Sequence, residues 1–310
     1  MEPGYIELYR KGILQQKARQ AKEALGSCQM CPRMCKVDRT AGQRGFCRTG
    51  QRAVVSSYNP HFGEEAPLVG VGGSGTIFFT HCNLLCIFCQ NYEISHQGLG
   101  EEVSPQVLAR MMVQLQDRGC HNINFVTPSH VVAQILEALP LAVELGLKVP
   151  LVYNTGGYDR LETLRLLEGV VDIYMPDIKF LDASVAQRLC RAPDYPQVVK
   201  DAIREMHRQV GDLVLDQRGL AVRGLLVRHL VMPNDLSQTK EVMEFLAREI
   251  STNTYINVMD QWRPCGESHS QPDLSRRISP QEFTEALHAA KEAGLHRLDS
   301  RQRFRFLEPW

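Results

Sequence analysis

Thr80-His81-Cys82-Asn83-Leu84-Leu85-Cys86-Ile87-Phe88-Cys89-Gln90-Asn91 sets three thiols in the spacing CxxxCxxC. Three thiolates from one short loop can bind three irons of a [4Fe–4S] cube, and the sequence offers no neighbouring cysteine for the fourth. An iron left open can be chelated by the amino and carboxylate groups of S-adenosylmethionine. One electron from the reduced cluster then cleaves the sulfonium to a 5′-deoxyadenosyl radical, which abstracts hydrogen. The bland alternatives are a zinc loop short of one ligand, or cysteines gathered by chance. The β-rich run Thr76–Thr80 just before the loop and the aromatic Phe88 before the third thiol weigh against both.

A second set, Cys28-x-x-Cys31-x-x-x-Cys35 followed by Cys47, supplies four thiols with Pro32, Gly42 and Gly45 as turn formers between them. That is enough for a closed four-coordinate site, and zinc or a second Fe–S centre both fit. A small segment with little apolar content needs such a staple to fold. Arg33, Lys36, Arg39, Arg44 and Arg48 surround these thiols. They serve either to offset thiolate charge or, on the livelier reading, as a docking surface for a partner. Cys120, Cys190 and Cys265 are scattered and read as core or surface thiols.

These loops need a frame, and 310 residues with 44% hydrophobic content can bury an ordinary core, which excludes disorder and fibrous architectures. Lys and Arg total 35 and so do Asp and Glu, so no whole-molecule field draws the chain to nucleic acid or to an anionic membrane. The first 52 residues nevertheless carry eleven basic against four acidic side chains. The most apolar stretch, 131–153, is broken by Glu137, Pro140, Glu144 and Lys148 and falls short of a bilayer span. The N-terminus reads as lacking a signal peptide, so the chain is expected in the cytoplasm, where clustered cysteines bind metal rather than pair.

From about residue 75, β-rich runs alternate with segments of helical period, which is the pattern of βαβ units. The runs are Thr76–Thr80, Asn122–Thr127, Val149–Asn154, Val171–Met175, Gly224–Met232 and Thr254–Met259, and they predict six parallel strands. Ser104-Pro105 opens one helix that Gly119 closes, and Ser279-Pro280-Gln281-Glu282 forms a capping box for another. A further helix is expected over 196–209, followed by a turn at Asp216–Gly219. Gly70-Val-Gly72-Gly-Ser-Gly75 fits the dinucleotide fingerprint GxGxxG but precedes a strand instead of following one, so it is read as a turn into the sheet.

The cysteine loop, with Tyr58-Asn-Pro-His-Phe-Gly-Glu-Glu65, Asp177-Ile-Lys179 and Asn257-Val-Met-Asp-Gln-Trp-Arg-Pro264, resembles the radical S-adenosylmethionine superfamily. Within it, the chain is similar to proteins like the pyruvate formate-lyase-activating enzyme. The resemblance spans the chain and implies an α/β fold, a partial (β/α)6 TIM-like barrel over 71–310, which follows the N-terminal helix and Cys-rich metal-binding extension read over 1–70. It implies a [4Fe–4S] cluster on Cys82, Cys86 and Cys89 and bound S-adenosylmethionine.

In such barrels chemistry sits at the C-terminal strand ends. The candidates there are Thr127 and His130 after the second strand, Asn154 and Thr155 after the third, and Asp177 and Lys179 after the fourth. Arg228 and His229 lie in the fifth, and Asp260, Gln261 and Arg263 follow the sixth. Related activating enzymes carry Gly-Gly-Glu after the second strand, where this chain has Thr127-Pro128-Ser129-His130. Asn154-Thr155-Gly156-Gly157 resembles their Asp-Thr-Asn-Gly, and Asp177-Ile-Lys179 matches their Asp-x-Lys. Asn154, Thr155, Asp177, Lys179 and Arg228 are therefore the expected cofactor-binding residues. The alternative for Asp177 and Lys179 is an internal ion pair that only holds a loop. His61, Glu64 and Glu65 are read as bordering the cluster or as capping a loop.

The implied activity is reductive cleavage of S-adenosylmethionine for hydrogen abstraction, with a glycyl-radical enzyme as protein substrate and a low-potential electron donor. A peptide, nucleotide or small molecule is the alternative substrate. A non-enzymatic metal-binding adaptor is the contrasting class, and the intact cysteine loop speaks against it.

Overall fold

The computed structural model describes residues 2–299, so residues 300–310 of the expected 71–310 unit lie outside the described part. Ten strands form one sheet: β1 (Ala53–His61), β2 (Ser74–Phe79), β3 (Glu101–Val103), β4 (Ile123–Val126), β5 (Leu151–Thr155), β6 (Ile173–Pro176), β7 (Val214–Leu215), β8 (Ala221–Leu230), β9 (Tyr255–Met259) and β10 (Arg297–Leu298). Ten α-helices accompany them among the described residues: α1 (Gly4–Arg10), α2 (Ile13–Glu23), α3 (Ala66–Val69), α4 (Pro105–Asp117), α5 (Val132–Glu144), α6 (Leu161–Leu166), α7 (Ala183–Cys190), α8 (Tyr195–Val210), α9 (Thr239–Phe245) and α10 (Pro280–Glu292).

The strand order is β10-β9-β8-β6-β5-β4-β2-β1-β3, with β7 beside β8. The six expected runs are the parallel strands β2, β4, β5, β6, β8 and β9, paired in that sequence. The sheet does not close on itself, so the fold is a partial TIM-like barrel. Crossover helices cover its outer face, which explains why the strands read as continuous apolar runs rather than as alternating ones.

Two apolar clusters separate the faces. Ile123, Phe125, Tyr153, Tyr174, Leu225, Val227, Ile256 and Val258 meet the helices. Val152, Ile173, Met175, Leu226 and Tyr255 form a smaller interior cluster, into which α3 inserts Leu68.

Local signals hold where the chain's own chemistry is sufficient. Ser104 Oγ accepts the Val107 amide at 3.3 Å to start α4, and the Ser279–Glu282 capping box starts α10. The segment 1–70 contributes β1, antiparallel to β2, and helices α1 and α2, the latter packed along α5. The amide of Gly4 donates to Asp172 Oδ1 and Tyr5 Oη donates to the Val149 carbonyl, so the chain start is tied to the N-terminal ends of the barrel strands. Helix α2 then carries the chain along α5 toward the other end of the barrel.

The Gly70–Gly75 segment is a turn into β2 and opens no helix. A Cβ on Gly72 would lie 1.9 Å from the Gly119 carbonyl oxygen, so backbone proximity, not phosphate binding, requires the glycine. We expect Gly72→Ala to destabilise the fold by roughly 1–3 kcal/mol through overpacking, measured by denaturant unfolding. An unchanged midpoint would show that the close approach is not what this glycine serves.

Candidate functional site

The loop after β2 carries Cys82, Cys86 and Cys89 at the C-terminal end of the strand. His81 and Leu85 adopt left-handed backbone, at φ 71° and 51°, which folds the loop tightly around its first thiol. Phe88 points into the core, 5.5 Å from the Trp262 ring and 6.5 Å from Phe180 in centroid separation. The aromatic before the third cysteine is thus an anchor that fixes the thiols on either side of it.

Donors already face the sulfurs: the Leu84 amide reaches Cys82 Sγ at 3.3 Å and Ser95 Oγ reaches Cys89 Sγ at 3.2 Å. Burial pushes the Cys82 thiol up to about 12 and raises Cys89 as well. These thiols become anionic ligands only when a metal displaces their protons. Among the described residues no three Cys, His, Asp or Glu side chains converge to grip one ion. A cube does not ask this of the loop, because each sulfur binds a different iron. Three thiols on one loop, with donors to sulfur and the Lys179 cation electrostatically close to Cys86 and Cys89, fit such a cluster.

Below the loop, strand alternation sorts the polar residues. Asn154 follows interior Val152 by two, Asp177 follows Met175, Arg228 follows Leu226 and Asn257 follows Tyr255, so all four continue the interior face toward the C-terminal ends. The side chains join. Lys179 Nζ donates to Asp177 Oδ2 at 2.6 Å, Arg228 Nε to Asp177 Oδ1 at 2.8 Å, and Arg228 Nη2 to Asn154 Oδ1 at 2.7 Å.

Glu64 Oε2 lies 3.8 Å from Arg228 Nη1, and Asn257 Nδ2 donates to Glu65 Oε1 at 2.8 Å. The segment after β1 therefore reaches across the barrel's open side to β8 and β9. Burial opposes ionisation of Asp177, and the Arg228 and Lys179 charges outweigh it, holding its carboxyl below the usual range. Burial raises Glu65, only partly offset by Arg228.

Other expected residues go elsewhere. Thr155 points away from Asn154, and its Oγ1 bonds Asp159 and Ser129 in a buried network. His229 likewise faces outward, to the Ile178 carbonyl and Thr239. His130 donates from Nε2 to the Thr80 carbonyl at 2.9 Å and lines the cavity of the N-terminal thiols. Gln261 lies beside the loop, its carbonyl accepting from Gln90 Nε2 at 3.5 Å. Arg263 and Cys265 line a cleft with Cys89–Ile94.

Cys190, at the end of α7, lies with its sulfur 3.3 Å from Cys86 Sγ. A separation of 104 residues left no sequence signal for that meeting. Cys28, Cys31, Cys35 and Cys47 line one cavity. Of the basic residues around them, Arg33 and Arg39 are held in internal contacts, whereas Lys36, Arg44 and Arg48 are exposed.

Asp177 is the only carboxylate within hydrogen-bonding distance of both Lys179 and Arg228 among the described residues. Asp177→Ala leaves Lys179 without its ion-pair partner and Arg228 with only the more distant Glu64 and Glu65 charges, and is expected to cost about 3 kcal/mol of stability. Because the folded carboxyl is held low, its contribution is complete above its unfolded value and is lost as pH falls through the folded one. An Asp177→Ala protein as stable as wild type at pH 7 would mean that the array is not held by this carboxylate.

The chain also has relatives. An uncharacterized protein of Methanocaldococcus jannaschii is 32% identical over 300 residues, covering 94% of this chain and 82% of that protein. The sequence pattern of the Radical SAM superfamily matches residues 76–246, from β2 through α9, the part that carries the thiol loop and the interior polar residues. The chain belongs to the Radical SAM superfamily.

Proposed function

We propose that this enzyme holds a [4Fe–4S] cluster on Cys82, Cys86 and Cys89 and cleaves S-adenosylmethionine above the interior polar array, for hydrogen abstraction from a glycyl-radical enzyme. The observation that carries the reading is the common face shared by Asn154, Asp177, Lys179 and Arg228, beneath a loop of three thiols. Membership of the superfamily supports the cluster and S-adenosylmethionine. The bound, reduced cluster supplies the electron for sulfonium cleavage.

The chain's own residues do the positioning. Lys179 presents an ammonium near Cys86, where it can meet the carboxylate of the cofactor, and Asp177 keeps that ammonium charged and aimed. Arg228 holds Asp177 from the other side and orients the Asn154 amide. Phe88, packed at a tilt against Trp262, keeps the loop from shifting relative to this array.

The resemblance to activating enzymes supports a protein substrate. The cleft between Cys89–Ile94 and Arg263–Gly266, beside the thiol loop, offers a place for its approach. A low-potential donor and a cytoplasmic setting complete the proposal; no helix among the described residues is long and apolar enough to cross a membrane. We place a second metal centre, zinc or Fe–S, at Cys28, Cys31, Cys35 and Cys47.

Anaerobically reconstituted, reduced protein is expected to form 5′-deoxyadenosine from S-adenosylmethionine. Cys82→Ala, Cys86→Ala or Cys89→Ala should abolish the product. Lys179→Ala should cut the rate at least about tenfold, roughly 1.4 kcal/mol of transition-state stabilisation. It should leave melting nearly unchanged, because Asp177 keeps Arg228 as partner. Normal cleavage by folded Lys179→Ala protein would reduce the pair to a structural role. A glycyl radical detected by electron paramagnetic resonance in an added glycyl-radical enzyme supports that substrate; turnover on a peptide or small molecule alone refutes it.

Cys190 gives a separate test. Its thiol donates toward the Cys86 sulfur, and hydrogen bonds to ligand sulfurs raise a cluster's reduction potential. Cys190→Ala should lower the midpoint by about 40 mV, the one-electron equivalent of about 1 kcal/mol. An unshifted potential would mean that the thiol turns away from the bound cluster.

A further inference from the structure

The N-terminal thiol segment places a buried cation among its thiols with no carboxylate of the described residues paired to it. Arg39 is 2% exposed; its Nε donates to the Gly50 carbonyl at 3.0 Å and its Nη1 to the His130 carbonyl at 3.0 Å. Nη1 also lies 3.6 Å from Cys28 Sγ, while Nη2 is buried without any partner. No acidic side chain is paired with Arg39 among the described residues. A guanidinium keeps its charge throughout a protein, and a buried charge left uncompensated is costly.

The surroundings name the missing negative charge. Arg39 and His130 line the same cavity as Cys28, Cys31, Cys35 and Cys47, and His130 Nδ1, also buried, is the second orphaned polar atom there. The Phe46 amide points at Cys35 Sγ from 3.4 Å, a donor aimed at sulfur. Gly45 makes that approach: a Cβ on it would lie 2.7 Å from Cys35 Sγ. Four neutral thiols do not neutralise Arg39. Four thiolates on a zinc ion, or on an oxidised [4Fe–4S] cube, carry a net negative charge and do. The sulfurs line a small cavity without closing on one point, so either centre is reached only by rotation of their side chains.

The same segment grips the other thiol loop. Arg33, between Cys31 and Cys35, donates to the carbonyls of Asn83 at 2.9 Å and Cys190 at 2.8 Å, and stacks on Phe46 with its guanidinium carbon 3.8 Å from the ring centre. His130 holds the Thr80 carbonyl, two residues before Cys82.

We propose that Cys28, Cys31, Cys35 and Cys47 form an anionic tetrathiolate metal centre with Arg39 as its counter-cation, and that this centre fixes the radical-cluster loop through Arg33 and His130. The inference deepens the second metal centre placed above, and its test does not read S-adenosylmethionine cleavage. Failure of one reading is therefore visible apart from failure of the other.

The test uses the full chain with Cys82, Cys86 and Cys89 all changed to alanine, so that remaining metal belongs to the N-terminal thiol segment. Elemental analysis is expected to find metal in the folded protein: zinc alone identifies the ion, and iron with sulfide identifies the cube. Arg39→Met should weaken retention against a chelator about tenfold or more, and Arg39→Lys should restore part of it. Stripping the metal, or changing Arg33 to Ala with the metal retained, should speed hydrogen exchange across residues 82–92. Folded, metal-free protein overturns the proposal, as does an Arg39→Met variant that keeps its metal and melts higher than its parent. Exchange across 82–92 that ignores both changes overturns the link between the two loops.

Discussion

Arg228 lies inside a protein barrel, and Asn154, Asp177, Glu64 and Glu65 gather around its charge. Its guanidinium spans from Asn154 on β5 to Asp177 beyond β6, with Glu64 from the segment across the open side at 3.8 Å. Burial disfavours the cation, and Asp177 with Glu65 and Glu64 more than repays it. Because Asp177 is shared with Lys179, the same carboxylate that stabilises the interior also fixes an ammonium near the Cys86 thiol. One carboxylate thus joins the two cations in a single network.

The thiol loop depends on a different kind of constraint. A loop with left-handed residues at His81 and Leu85 has no secondary-structure ladder to hold it. Its fixed points are contributed from far away in sequence: Trp262 against Phe88, Arg33 on the Asn83 carbonyl, and the Glu267 amide donating to the Ile87 carbonyl at 2.8 Å. Each contact satisfies a backbone carbonyl or buries an aromatic ring, so rigidity comes from the surroundings rather than from the loop's own conformation. The N-terminal segment consequently acts as a brace on the site, reaching it by the path of α2 along α5.

The site residues were legible unevenly. CxxxCxxC, the six β-rich runs and the capping box at Ser279 are local, and each appears where residue type and spacing place it. Asn154, Asp177, Lys179 and Arg228 were identifiable as strand-end polar residues, and the structure joins them. Thr155 was equally eligible by position but takes the opposite face of its strand, where Asp159 and Ser129 engage it. His130 was assigned to the barrel mouth and lines the N-terminal thiol cavity instead, because the turn at Thr127, with φ 61°, redirects the chain after β4.

The sequence by itself determined the kind of fold and the kind of chemistry, since strand and helix periodicities and the intervals between thiols are properties of neighbouring residues. Only the tertiary structure decided which charges meet and which of the scattered cysteines approaches the thiol loop. Cys190 beside Cys86, Arg33 on the loop carbonyls and Glu65 against Asn257 join residues 104, 50 and 192 positions apart. Such meetings are set by how β-strands align across the barrel and how helices cross its outside. A strand's alternation tells which side chains share its face; the neighbouring strands decide what that face encounters.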